Sequence, residues 1–437
     1  MKSLSVLNTF FTATASYQFN PLHHLTGIAP YFTPHDPINP SPPAGCNVTR
    51  AAYLVRHAAI YANDFDYETY IEPFVEKLHN TTQNWAGTDS LSFLTNWTAP
   101  ISDDHLEKLT RVGLQEATSL GGQFRQRYPD LHTKKVWAAT AERATKSAQG
   151  FITGYTNNQT HLDLVSVAES DTTGADSLTP YKSCPAYSSS YGSSYEETFI
   201  NHYTTPTTTR LNLLAPTFNF TSSDITAMFE LCGYETVIRG SSPFCSPTLF
   251  TSSEWLSFEY ANDIMYFHNT GYGRPLSPVL GFPWVNASYS LLSANTTDQD
   301  IYVSFTHREV PPTIVTALGL FNNSAYSGAN NVNETMPTDE VNYNRAWKSS
   351  NILPFLGNIG MERMECGDGT GFAEGVYYRV LVNEAVKPVP GCRDGPGESC
   401  SGDRFGEFMK GREEMFGDFG TGCGNSSAVG GLSIYDG

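Results

Sequence analysis

Arginine and histidine side chains stand at three junctions between an apolar stretch and a helix-like pattern. Arg56 and His57 follow the run AAYLV, Arg143 comes shortly after VWAAT, and His307 and Arg308 come just after IYVSF. In open α/β sheets, ligands bind at the carboxyl ends of the strands, where the next helices offer free N–H groups to anions. Guanidinium groups match phosphate and stay charged at any working pH. The three junctions therefore predict a pocket for an anion such as phosphate.

The stretches between these junctions indicate the elements that position them. Short apolar runs predict strands near 51–55, 134–140, 162–168 and 301–305. Apolar residues at helical spacing predict helices over 67–78 and about 104–128. Strands that alternate with helices favour an α/β fold with a central, mostly parallel sheet flanked by helices. Taken singly, each basic residue is equally well explained as a helix cap or a salt-bridge partner, and only their recurrence favours a site.

The length of the chain, 437 residues, is large for one hydrophobic core. It predicts two domains, or one domain with a large insertion. We assign residues 46–60, 130–200 and 285–437 to the α/β domain and residues 61–129 and 201–284 to a smaller, mainly α-helical inserted domain. Residues 17–45 are proline-rich without periodicity and are expected to form an extended N-terminal arm.

The net charge bounds the partners of the protein. With 44 acidic and 26 basic residues, the chain carries a formal charge of −18. Its mean field repels phosphate backbones and anionic membranes, so we expect neither nucleic acid nor a membrane as a partner. The balance also suits work in acid, where protonation of carboxylates weakens their mutual repulsion.

Sequons and cysteines indicate an extracellular protein. Ten Asn-X-Ser/Thr sequons predict heavy glycosylation, at Asn47, Asn80, Asn96, Asn158, Asn219, Asn286, Asn295, Asn322, Asn333 and Asn425. Eight cysteines without any C-x-x-C pair agree with an oxidising compartment and argue against a metal site, although 105 pairings are open. Residues 1–16, with one lysine and a short apolar stretch, are a candidate signal peptide.

Two motifs resemble signatures of the histidine acid phosphatase family. LVRHAAIYA, residues 54–62, is similar to R-H-G-x-R-x-P, and FTHRE, residues 305–309, is similar to the later H-D or H-A-E signature. The H-x-E form resembles that of inositol polyphosphate phosphatases. Segments such as ERATKSAQGFITGY, MFELCGYETVIRGSSPFC and YYRVLVNEAVKPVPGC resemble fungal phytase segments in the same order. The chain is therefore identified as a member of the fungal phytase-like branch from about residue 18 onward.

The resemblance implies a secreted acid phosphomonoesterase that works through a phosphohistidine. His57 would be the nucleophile, Arg56, Arg143 and His307 would bind the non-bridging phosphate oxygens, and Glu309 would protonate the departing alkoxide. This mechanism requires no metal and no organic cofactor. The implied substrate is a small-molecule phosphate monoester such as an inositol phosphate.

The same resemblance implies that all eight cysteines are paired, which leaves no thiol as a nucleophile. The implied disulfides are Cys46–Cys366, Cys184–Cys423, Cys232–Cys245 and Cys392–Cys400. Two of these would close long loops and two would close short ones, as in other secreted proteins.

The motifs also depart from the family pattern at the positions of the phosphate clamp. Ala58 replaces the family glycine, Ile60 the second arginine and Ala62 the proline. Removing one phosphate-binding guanidinium typically costs a few kcal/mol. Arg308 stands at the aspartate position of H-D. It is a substrate-binding candidate, because its guanidinium would replace the positive charge that is lost at Ile60. The alternative is that Arg308 points outward and pairs with surface acids.

Two other functions stay open on the sequence. A catalytically diverged family member would use His57 and Glu309 to bind an anion or to transfer protons on a non-phosphate metabolite. A structural glycoprotein would explain the sequons and cysteines but not the basic junctions. Phytate specificity, in turn, would require a basic rim around the pocket. The candidates for that rim are Lys146, Lys182, Arg210 and Arg274.

Overall fold

The structure is a computed structural model that describes residues 19–34, 38–157, 160–323, 335–369 and 371–436. The candidate signal peptide, residues 1–16, lies outside these residues, as do the sequon asparagines Asn158 and Asn333.

In the described part of the chain, eight strands form one sheet in the order β3-β2-β4-β1-β5-β6-β7, with β8 beside β6. Their bounds are β1 Cys46–Arg56, β2 Lys135–Ala139, β3 Asp163–Val167, β4 Ile301–Thr306, β5 Asn358–Cys366, β6 Gly375–Val382, β7 Ala385–Lys387 and β8 Cys400–Ser401. The strands β3, β2, β4 and β1 pair in parallel. The pairs formed by β5 to β8 are antiparallel, and β6 again runs in the direction of β1. The predicted α/β fold with a mostly parallel central sheet is confirmed, with an added antiparallel part.

Helices cover the sheet and build a second layer beside it. Their bounds are α1 Asp64–Asp66, α2 Glu72–Asn80, α3 Arg111–Arg127, α4 Glu142–Thr156, α5 Ser193–Leu214, α6 Ser222–Arg239, α7 Ser252–Asn269, α8 Ser277–Ser293, α9 Val310–Ala317, α10 Gly402–Phe416 and α11 Phe419–Gly422. A π-helical turn, Tyr67–Ile71, joins α1 to α2. Capping boxes fix the starts of α6 at Thr221 and of α7 at Thr251.

The strands β1 and β4 bring two of the predicted junctions to the same point. All residues of β4, and residues 51–56 of β1, are buried, as expected for parallel strands covered on both faces. Arg56 lies opposite Thr306 in the register of the two strands. The backbone N–H of His57 then donates to the Thr306 carbonyl at 2.8 Å. His57 and His307 therefore leave the sheet side by side.

The helix α3 belongs with the sheet and not with the predicted inserted domain 61–129. It begins at Arg111, after the N-cap Thr110, and its buried residues pack with β1 and α4 in one core. Gly121 lies so close to α4 that a Cβ there would be 2.0 Å from the Phe151 carbonyl oxygen. This close packing makes α3 and α4 one layer, so we correct that boundary. The other domain boundaries stay a prediction.

The described part of the N-terminal arm is not extended, in contrast to the prediction for residues 17–45. Pro21–His24 and Thr26–Ile28 form short 3₁₀ helices, and Leu25 is fully buried in the main core. The apolar side chains of Leu25 and Ile28 are buried in the main core, and this burial packs the segment against the domain.

All four implied disulfides are present: Cys46–Cys366, Cys184–Cys423, Cys232–Cys245 and Cys392–Cys400. The first joins β1 to β5 at residues that are directly paired in the sheet. Within the part of the chain that the structure describes, none of the helices has the length and apolar character that crossing a bilayer requires.

Candidate active site

A cavity of about 150 Å³ opens at the carboxyl ends of β1, β2 and β4. Its walls contain all six residues that the sequence predicted for catalysis and substrate binding. The lining residues are Arg56, His57, Ile60, Asn63, Asp64, Glu107, Arg143, His307, Arg308 and Glu309. The three basic junctions thus converge on one cavity.

The His57 imidazole is held in one orientation by a single backbone contact. Its Nδ1 donates to the carbonyl oxygen of Ala58 at 2.9 Å, and its Nε2 makes no hydrogen bond to the described residues. Burial lowers the pKa of His57 well below 6.5, and the positive charges of Arg56 and Arg143 lower it further. These shifts favour the neutral ring, whose lone pair on Nε2 can attack an electrophile.

Arg56 lies at the base of the cavity. Its guanidinium donates to the Leu353 carbonyl at 2.6 Å and to the Gly27 carbonyl, and it stacks on the Phe355 ring at 4.6 Å. Its Nε is buried and has no partner among the described residues. Burial lowers the pKa of Arg56 to about 10, so the group remains charged in acid. The arm residue Gly27 is thus part of the site, which the sequence did not indicate.

Arg143, in the first turn of α4, is engaged in the ligand-free cavity. Its guanidinium forms an ion pair with the Glu107 carboxylate. Glu107 has a φ of 63°, and its backbone N–H donates to the Ala62 carbonyl at 2.8 Å. This positive φ is unusual for a residue with a side chain and holds the carboxylate in the cavity. The sequence analysis missed Glu107, since nothing in its neighbourhood distinguishes it from other loop acids.

His307 is oriented by a carboxylate that the sequence analysis also missed. Its Nε2 lies 3.1 Å from Glu169 Oε2, while its buried Nδ1 has no partner among the described residues. Glu169 also accepts from the Ala141 backbone N–H at 2.7 Å and from Lys182 at 2.6 Å. Burial alone would raise the pKa of Glu169, but these hydrogen bonds lower it overall. A carboxylate on Nε2 leaves Nδ1 to contact a ligand.

Arg308 and Glu309 also line the cavity, and their side chains form an ion pair. Arg308 Nε lies 3.3 Å from Glu309 Oε1, and its Nη1 lies 4.0 Å from Asp66 Oδ2. Burial would raise the pKa of Glu309, but Arg308 and His307 lower it overall. Arg308 lines the same cavity as Ile60 and Glu309, whereas Asp66 lines a second pocket that Arg308 also borders.

The other departures from the family signatures are accommodated by the backbone. Ala58 does not have a positive φ, so its conformation does not require glycine. Its N–H donates to Ser147 Oγ on α4 at 2.9 Å, which fixes the turn after His57. Ala62 is fully buried, and its carbonyl holds the loop of Glu107.

The four rim candidates do not line this cavity. Lys146 pairs with Glu142, Lys182 with Glu169 and Arg210 with Glu254. Arg274 donates to the Ser188 carbonyl at 2.8 Å and stacks on tyrosine rings. These four residues are therefore not part of the cavity wall, and a basic rim farther out stays a prediction.

Potential metal ligands were sought in the described ranges. The group of three that comes together there within 4.8 Å is Cys392, Asp394 and Cys400, and both cysteines are joined in a disulfide. This group does not offer the free thiolates that a metal would need.

Comparison with known proteins places the chain in a family. A family model for the histidine phosphatase superfamily (branch 2) matches residues 47–383. The chain belongs to this superfamily. Curated relatives of this histidine phosphatase include phytase PHO112 of Candida albicans, 29% identical over 96% of this chain and 90% of the relative. Acid phosphatase PHO1 of Komagataella pastoris is 30% identical over 93% of this chain and 87% of the relative.

Solved structures support the fold of this histidine phosphatase. The crystal structure of the phytase from D. castellii matches with a TM-score of 0.87 and 24% identity, over 98% of this chain and 94% of the phytase. A multiple inositol polyphosphate phosphatase of Bifidobacterium longum, in complex with inositol hexasulfate, matches with a TM-score of 0.61 and 15% identity, over 85% of this chain and 94% of that protein. At these identities the likeness concerns the fold alone.

Proposed function

We propose that this histidine phosphatase is an acid phosphomonoesterase that forms a phosphohistidine on His57. The proposal depends most on one observation, the environment of His57. The His57 imidazole is neutral, is held by the Ala58 carbonyl through Nδ1, and presents Nε2 to a cavity that contains three arginines. A neutral nucleophile beside several cations suits attack on an anionic phosphate ester.

The first step transfers the phosphoryl group to the enzyme. The lone pair of His57 Nε2 forms a bond to phosphorus while the ester P–O bond breaks. Arg56, Arg143 and Arg308 hold the non-bridging oxygens, and His307, with a proton on each ring nitrogen, donates from Nδ1 to a further oxygen. The departing alkoxide takes a proton from the Glu309 carboxyl and leaves as the alcohol.

The second step returns the enzyme to its starting state. Water attacks the phosphorus of the phosphohistidine and gives a proton to the Glu309 carboxylate, while the P–N bond breaks and inorganic phosphate leaves. Acid favours the cycle, because the pKa of Glu309 is lowered in the ligand-free site and the acid form is scarce near neutrality. Bound phosphate offsets the nearby cations and moves this pKa upward.

The proposal includes a small-molecule phosphate monoester as substrate and a secreted, glycosylated protein. Relatives named phytase suggest an inositol phosphate as one such ester. Of the eight sequon asparagines in the described residues, Asn47, Asn80, Asn96, Asn219 and Asn295 are exposed. Exposed asparagines and four disulfides support passage through an oxidising, glycosylating compartment.

The proposal is tested by release of p-nitrophenol from p-nitrophenyl phosphate between about pH 3 and 7. Wild type is compared with His57→Ala, and circular dichroism checks that both are folded. We expect turnover that rises toward acid pH and disappears in His57→Ala. If wild type is folded but as inactive as His57→Ala, the proposed phosphatase activity is contradicted. That result would favour a diverged protein that binds an anion without hydrolysing it. Ile60, which replaces an arginine of the phosphate clamp, would then explain the loss of activity.

A further inference from the structure

A second, smaller pocket adjoins the phosphate cavity, and the Arg308 side chain lines both. Among the described residues, the other charged side chains that line this pocket are acids: Asp66 at the end of α1, Glu196 on α5 and Glu230 on α6. The proposed phosphoryl transfer uses none of these three carboxyl groups. Arg308 is already in contact with Asp66 and Glu309, so it does not offset all of the acidic charge.

Glu230 forms no direct ion pair within the described residues, although Arg308 lines the same pocket. It is 7% exposed, and its buried Oε2 has no hydrogen-bond partner among the described residues. Burial raises the pKa of Glu230 well above its usual range, and the nearby charge of Asp66 raises it further. The same two causes raise the pKa of Glu196 to about 8. A bound cation would pair with these carboxylates and satisfy the Glu230 oxygen.

The aromatic residues that line the pocket and its small volume indicate which kind of cation would fit. Aromatic rings that line it include Tyr70, Tyr203, Phe258 and Tyr266. Aromatic rings and carboxylates both attract cations, so this lining favours an alkylammonium group. The volume is about 50 Å³. A single water needs roughly 10–15 Å³, so the pocket holds about three or four non-hydrogen atoms.

We propose that this acidic pocket binds the ammonium group of the substrate's alcohol, so that the preferred substrates are phosphate monoesters of short primary amino alcohols. The inference rests on the proposed phosphatase function and specifies its substrate class. Arg308 separates the two ends of such a substrate, with the phosphate on one side and the ammonium on the other. A polyphosphorylated alcohol would instead place an anion beside Asp66 and would offer no cation to the buried carboxyl groups of Glu196 and Glu230, so phytate is expected to be a poor substrate.

The test compares two esters that differ in one group, O-phosphoethanolamine and 2-hydroxyethyl phosphate. We expect wild type to show a kcat/KM at least about tenfold higher for the amine, the scale of one charge-assisted contact. Glu230→Gln should reduce this ratio about tenfold while leaving kcat/KM for the hydroxyl ester within about twofold. Glu116→Gln is the matched control, since its buried Oε2 also lacks a partner but it lines neither cavity.

The possible results separate the inference from the function on which it rests. Equal turnover of both esters by wild type, or a preference for the hydroxyl ester or for phytate, would overturn the amine pocket and leave the phosphatase intact. Hydrolysis of neither ester, nor of p-nitrophenyl phosphate, by folded wild type would overturn both. If Glu230→Gln does not fold, Glu196→Gln replaces it, and the wild-type comparison already decides the question.

Discussion

The guanidinium of Arg143 is bound to the carboxylate of Glu107 inside the ligand-free cavity. The two side chains are 24% and 30% exposed, so the pair lies at the mouth of the site. A phosphate group must take over this guanidinium in order to bind. The Glu107 carboxylate thus competes with the substrate phosphate for this guanidinium.

The first prediction concerns this competition. In Glu107→Gln, KM for p-nitrophenyl phosphate should fall about three- to fivefold at pH 6, because a partly exposed ion pair is worth up to about 1 kcal/mol. Glu142→Gln, which removes the partner of Lys146 at the start of the same helix, is the control. An unchanged or higher KM at pH 6 would show that Glu107 supports Arg143 instead of competing for it.

Glu309→Gln should separate substrates by their leaving group. For 2-hydroxyethyl phosphate, kcat/KM should fall about 10²- to 10⁴-fold, because its alkoxide needs a proton to depart. For p-nitrophenyl phosphate, whose leaving group departs without one, kcat/KM should change far less. The ratio of the two kcat/KM values measures the effect. Equal losses for both esters would mean that Glu309 positions the phosphate and is not the proton donor.

Arg308 and Ile60 can be tested as a compensating pair, because they line the same cavity. Arg308→Ala should lower kcat/KM about a hundredfold, as loss of one donor to a reacting anion does elsewhere. Adding Ile60→Arg to that variant should restore at least about tenfold, whereas Ile60→Leu should restore nothing. Steady-state kinetics at pH 4 provide the comparison. Full activity of Arg308→Ala would remove Arg308 from the phosphate clamp.

The buried acids of α5 and α6 predict how stability depends on pH. The pKa of Glu196 is raised from 4.5 to about 8 by burial and by Asp66. Between these values the folded protein keeps a proton that the unfolded chain releases. The free energy of unfolding therefore falls as pH rises from about 4.5 to 8, by at most about 1.4 kcal/mol per pH unit for each such carboxyl.

Urea unfolding at a series of pH values measures that slope. Glu196→Gln should flatten it, because glutamine has no proton to keep. Glu197→Gln, on the exposed side of the same helix, should leave the slope as in wild type. A wild type whose stability rises over this window would contradict the raised pKa.

The strand ends of the site were predictable from the sequence because of how β1 and β4 are buried. Residues 51–56 of β1 and all of β4 are buried, so each appears as a mainly apolar run that is followed by basic residues. Arg56, His57, His307 and Arg308 follow directly from the ends of these runs. Their convergence follows from the parallel pairing, which brings the carboxyl ends together.

The carboxylates that orient the site were not predictable, since the loops that carry them return to it only through the fold. Glu169 is 138 residues from its partner His307, and nothing in the sequence around either indicates the contact. The antiparallel strands β5 and β6 were missed for a different reason. The fully buried Glu362 of β5 pairs with Arg379 of β6, so charges interrupt the apolar pattern that would have indicated strands.

The central claim, that His57 is the nucleophile, is tested most directly by trapping the phosphorylated enzyme. Glu309→Gln is mixed with p-nitrophenyl phosphate, quenched in alkali within one turnover and mapped by mass spectrometry. Loss of the base for water should let the intermediate accumulate, and the phosphate should lie on the peptide that contains His57. Phosphate on another residue would contradict the account. So would a burst of p-nitrophenol from His57→Ala equal to that of the parent.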